Sequence, residues 1–146
     1  MSEFVRYQSA VPNRNGRYPG VFALANGLRH IGLLTADDSA WHQEANRVAT
    51  AAYVDPMAVD PDCYDQKRNP GARAWFSVDA VDLLVMVTAY LRLLDRYDVP
   101  WVQLTTRSPG RIVYRDAVQI VAVPHSYRDD WPFPTIDAGP SRMTGA

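Results

Sequence analysis

Asn13, Arg14, Asn15, Arg17 and Tyr18 crowd a stretch punctuated by Asn15-Gly16 and Pro19-Gly20, and their types suit the capture of an anion. A guanidinium holds a carboxylate or phosphate through a planar fork of charged donors. A helix predicted to begin just after them, at about residue 21, would add unpaired amides and a partial positive charge. The candidate ligand-binding set is therefore Asn13, Arg14, Arg17 and Tyr18, with Asn26 and His30 on the predicted helix able to orient a bound group. The competing reading is a solvated terminal stretch whose arginines do nothing special.

The other chemically capable residues are explained more simply. His30 and His42 fall on successive predicted helices, yet a metal site wants a third ligand. Asp37, Asp38 and Glu44 read as capping and solvated charges, so no metal and no cofactor is expected. Cys63 stands among Asp60, Asp62 and Asp65, which would raise its thiol pKa and blunt it as a nucleophile. Asp79/Asp82 and Asp95/Asp98 are pairs three apart on a helix, more easily read as first-turn charge and wet surface than as acid–base couples. A second candidate site is an interface: Tyr127, Arg128, Trp131 and Phe133 lie on a proline-rich coil, and exposed aromatics beside arginine are the types that dominate protein contacts.

Composition narrows the classes. The 146 residues suffice for one domain, carry 47% hydrophobic side chains and have a formal net charge of −1. That balance lacks the basic field on which nucleic-acid binding rests, although Arg107, Arg111 and Arg115 could cluster locally. No run approaches the roughly 20 apolar residues of a membrane span. The first residues lack the apolar core of a secretory signal, and a single cysteine excludes an internal disulfide, so a cytoplasmic location is expected. Lys67 is the only lysine among 15 basic residues, and Glu3 and Glu44 are the only glutamates among 16 acidic ones. Because arginine codons are GC-rich and lysine codons AT-rich, the surplus of arginine points to a GC-rich bacterial genome before it points to function.

The elements that must position these residues follow from periodicity. Residues 1–19 read as an extended arm. Val21, Leu24, Ala25, Leu28 and Ile31 predict a first helix. Thr35 predicts the cap of a second, running to about residue 53 with Trp41, Ala45, Val48 and Ala52 on one stripe, and the two should form a hairpin. Residues 54–71, with three X-Pro steps, form a long irregular connection. A short strand at 72–76 leads to Ser77 as the cap of a long helix, apolar around most of its circumference, that Pro100 stops. Residues 101–106, 111–114 and 118–123 predict three strands, and their short connections predict an antiparallel meander. The expectation is a single α+β domain over 1–146: an N-terminal helical hairpin and one long buried helix on a three- to four-stranded antiparallel sheet, with a proline-rich tail over 125–146.

Several phrases resemble a group of small, functionally uncharacterised proteins of actinobacteria: Pro12-Asn-Arg-Asn-Gly with Tyr18-Pro-Gly-Val-Phe, Asn26-Gly-Leu, Asn69-Pro-Gly-Ala with Trp75-Phe, and Pro109-Gly-Arg-Ile-Val-Tyr running into Val118-Gln-Ile-Val-Ala-Val-Pro. The resemblance covers roughly residues 11–125 and implies no activity. In that group a lysine commonly follows Trp75-Phe76 where this chain has Ser77, and an acid commonly stands where it has Arg115, which argues against an essential charge at either position. With no catalytic constellation and loose aromatic and arginine-rich segments at both ends, the first expectation is a non-enzymatic protein-binding module, an inhibitor, immunity-type or regulatory partner. The alternative is an enzyme or small-anion or nucleotide binder using the N-terminal Arg/Tyr loop.

Overall fold

Alternation along the strands divides the apolar residues between two faces, and each face has its own core. In the computed structural model, which describes residues 2–125 and 141–143, the elements run β1 (Phe4–Ser9), α1 (Val21–His30), α2 (Ala36–Ala52), α3 (Pro56–Val59), β2 (Arg73–Ser77), α4 (Val81–Arg96), β3 (Trp101–Thr106), β4 (Arg111–Arg115), β5 (Gln119–Val123) and β6 (Ser141–Met143). Val5, Phe76 and Trp101 bury against α1 and α4, whose Val21, Ala25, Leu28, Val87, Leu91 and Leu94 close the larger core. Their strand neighbours Phe4, Trp75 and Val102 turn the other way, forming a second cluster with Leu104, Ile120 and Ala122. The protein is an α+β fold.

Among the described residues the sheet has six strands in the order β4-β5-β2-β1-β3-β6, and every adjacent pair is antiparallel. The stretch expected to be an arm therefore holds a central strand: β1 pairs along its whole length with β3, from Phe4↔Thr106 to Ser9↔Trp101. Arg6 and Gln8 share the Phe4 face, and two polar residues there mask the alternation that marks a strand. The expected meander is also corrected, because β1, β2 and β5 separate β3 from β4. β3 buries residues on both faces and takes a central place, whereas β4, exposed at both ends, lies at the edge. The turn at Pro109-Gly110 thus belongs to a crossing connection. Gly110 is at φ +118°, and a Cβ there would lie 1.9 Å from the Val123 carbonyl oxygen, so only glycine fits.

Two helices differ from expectation in detail. The stripe of α4 is one-sided: Leu83, Val87, Tyr90, Leu91, Leu93 and Leu94 are buried, but Val81 and Val85 are about two-thirds exposed. Its N-cap is Ala80, and Ser77 instead accepts the Asp79 N–H on its Oγ at 3.2 Å. In α2 the Thr35 cap forms as expected, accepting from Asp38 N at 3.1 Å. The expected stripe does not, since Trp41 and Val48 are exposed and the buried side chain is His42.

Candidate functional site

The site begins where β1 and β2 part. Their ladder holds only Phe4↔Ser77 and Val5↔Phe76. Beyond it Gln8 bridges Gly20, and Ser9 donates its N–H to the Pro19 carbonyl at 2.9 Å. β3 occupies the other side of β1 throughout, so residues 19–20 lie on the side that β2 has left. Arg6 fills the gap. Its Nη1 donates to the Ala74 carbonyl and its Nη2 to the Tyr18 carbonyl, each at 3.0 Å, while its Nε donates to Gln8 Oε1 at 2.7 Å. A buried carbonyl without its ladder partner needs another donor, and the guanidinium supplies one on each bank of the gap.

Over this gap opens a cleft of about 1430 Å³. The N-terminal loop and the start of α1 form one wall, the end of α2 another, and the connection carrying Tyr64 and Gln66 a third. Arg6, Arg17 and Arg73 line it, and among the described residues Asp55 is the carboxylate that lines it. Asp55 Oδ1 is engaged in capping α3, accepting from Met57 N at 3.0 Å. Tyr18, Phe22, Tyr53 and Phe76 give the cleft aromatic surface. Phe22 packs edge-on against Phe76 and Tyr90, with ring centroids 5.9 and 4.9 Å apart. Toward the far end Tyr90 donates its hydroxyl hydrogen to Asn46 Oδ1 at 2.5 Å, and Asn46 donates to Asn26 Oδ1 at 2.9 Å.

The charges are placed against solvation. Arg73 is buried, donates to Gln8 Oε1 at 3.3 Å and lies 5.0 Å from the Trp75 ring centroid. Burial pushes its pKa well below the ordinary guanidinium value, and the neighbouring charge of Arg6 adds to the fall. Burial lowers Arg6 to about 10, an effect that the ionised form of Tyr64 would partly offset. Desolvation raises Tyr64 itself to about 12, so at neutral pH it is a hydroxyl able to donate. Both desolvated guanidiniums donate to the neutral Gln8 Oε1. Cys63 is buried and does not line the cleft, and burial, ahead of its aspartates, pushes its thiol pKa up.

Of the six residues singled out from sequence, Asn13, Arg17, Tyr18 and Asn26 line the cleft, whereas Arg14 and His30 are exposed and do not. Asn13 shapes the loop: its Oδ1 accepts from Asn15 N and Arg17 N, both at 2.9 Å. Tyr127, Arg128, Trp131 and Phe133 lie outside the described residues. Sequence reasoning missed Arg6, Gln8, Tyr64 and Arg73. The available signal was an arginine inside each of two apolar runs, Phe4-Val-Arg-Tyr and Arg73-Ala-Trp-Phe. No protein family, curated protein or solved structure matches this chain.

Proposed function

We propose that this protein binds a small anionic ligand in the cleft between the N-terminal loop, the end of α2 and the splayed β1–β2 edge. The observation that carries the reading is the convergence of Arg6, Arg17 and Arg73 on one concave, partly aromatic surface, where Asp55, engaged in capping a helix, is the carboxylate among the described lining residues. Ligand sites are commonly concave and mostly apolar, with a few converging polar groups to fix orientation. Arg17 is exposed at the mouth and Arg6 lies within, so an anion meets an accessible charge before a desolvated one.

A thermal-shift screen of carboxylates, phosphosugars and nucleotides tests this. A ligand that binds only the folded state raises the melting temperature by mass action, by several degrees at saturation. The expected hit stabilises the wild type and Arg14→Ala alike and loses most of its effect on Arg17→Ala. If no anion shifts the wild type, or Arg17→Ala responds as fully as Arg14→Ala, the reading is wrong.

A further inference from the structure

We infer that Asn15 is a site of spontaneous deamidation, and that the carboxylate it becomes weakens anion binding at the mouth of the cleft; the second half rests on the reading above. An asparagine followed by glycine can cyclise, because no side chain shields the glycine nitrogen. The Gly16 nitrogen, giving its hydrogen to solvent, bonds to Asn15 Cγ, the Cγ–Nδ2 bond breaks, and that nitrogen leaves as ammonia. Water then opens the cyclic imide at one of its two carbonyls, leaving either aspartate or isoaspartate, whose main chain runs through Cγ. One water is consumed and one ammonia released, with no change of oxidation state.

Two Asn-Gly steps occur in the chain, Asn15-Gly16 and Asn26-Gly27, and the fold treats them differently. All four residues are exposed, so access does not separate them. Asn15-Gly16 lies outside any helix or strand, in a turn closed by the Gly16 N–H on the Asn13 carbonyl at 2.9 Å. Gly16 is at φ +74°, and a Cβ there would meet nothing within 4 Å, so the turn has room to rearrange into the ring. Asn26-Gly27 lies inside α1, past its first turn, where the Gly27 N–H belongs to the helix ladder and its carbonyl accepts from Ile31 N at 3.1 Å. Asn26 Oδ1 is also tethered, accepting from Asn46 Nδ2 at 2.9 Å. Cyclisation there would break the helix, whereas at Asn15 it opens one exposed turn.

The product arises where charge matters, because Gly16 and Arg17 line the cleft. Two Cα steps of about 3.8 Å place residue 15 within about 8 Å of residue 17, about one Debye length at physiological salt. Isoaspartate also lengthens the main chain between Asn13 and Arg17. Those two residues are tied at present, with Asn13 N donating to the Arg17 carbonyl at 2.7 Å and Arg17 N to Asn13 Oδ1 at 2.9 Å.

Peptide mapping by mass spectrometry tests the modification, on the folded full chain aged in mildly alkaline buffer and on the same chain unfolded in guanidinium. Asn15 should convert within about tenfold of its unfolded rate, since opening an exposed turn costs little, and Asn26 at least about tenfold more slowly than when unfolded. An Asn15 that stays intact, or equal rates at the two steps in the folded protein, would overturn the site. Asn15→Asp supplies the carboxylate at once. With the anion that most raises the wild-type melting temperature, this variant should bind about three- to tenfold more weakly. Unchanged affinity would overturn the effect on binding. If no anion shifts the wild type, the ligand reading fails and the effect on binding falls with it, while the mass spectrum alone decides whether Asn15 converts.

Discussion

Gln8 shows how one neutral side chain organises two charges. It is fully buried on β1, and its Oε1 accepts from both Arg6 and Arg73, tying adjacent strands together where their ladder has opened. His42 is the opposite case. It is fully buried, packs edge-on against Tyr90 with ring centroids 5.8 Å apart, and neither ring nitrogen has a hydrogen-bond partner. Burial first, and the charge of Arg29 second, push its pKa below the ordinary value of 6.5. The unfolded chain then binds a proton that the folded one refuses, so stability is full above about pH 6.5 and is lost as pH falls toward the folded value. The expected result is a melting temperature that drops between about pH 7 and about pH 5.5 in wild type. His42→Leu, which removes the proton acceptor, should flatten that drop. Equal slopes in the two proteins would show that His42 does not carry this dependence, and circular dichroism melts at several pH values read it directly.

At the scale of elements, α4 is the scaffold that everything else leans on. Leu91 is buried against the sheet side of the fold, while Arg92, the next residue, points to solvent. Truncating a buried leucine removes its transfer free energy and leaves a cavity, so Leu91→Ala should cost about 2–5 kcal/mol. Arg92→Ala should stay within about 0.5 kcal/mol of wild type. Urea midpoints measure both. Equal, small effects would mean that this helix is not the core. The end of α4 is fastened as well: Arg96 donates to Asp38 Oδ1 at 2.9 Å and Tyr97 to Asp38 Oδ2 at 2.6 Å, joining α4 to the first turn of α2. That link helps fix where α2 ends, and the end of α2 is a wall of the cleft.

At the scale of the whole molecule, the class of fold was legible because α1, α4, β3 and β5 carry clean periodicities. The strand order was not. β1 hides its alternation behind Arg6 and Gln8, and the short connection from β3 to β4 suggested neighbours that the sheet keeps apart, whereas β4 and β5 do pair. Part of the cleft was legible for a local reason. Arg17 and Tyr18 sit on a loop whose Gly and Pro residues announce an exposed turn. Arg6, Arg73 and Tyr64 were not, since they meet only after three segments distant in the chain close around the splayed β1–β2 edge, and no spacing rule encodes that encounter.

An anion bound in this cleft should be displaced when the space is filled without touching a charge. Ala49 lines the cleft from the end of α2 and is only partly buried. The measurement is isothermal titration of wild type and Ala49→Trp with the anion that shifts the melting curve most. Both proteins should show the same urea midpoint within about 1 kcal/mol, and the variant should bind at least about tenfold more weakly, because the indole takes the space of the ligand. Unchanged affinity in a folded Ala49→Trp would place the bound anion elsewhere and contradict the assignment of this cleft.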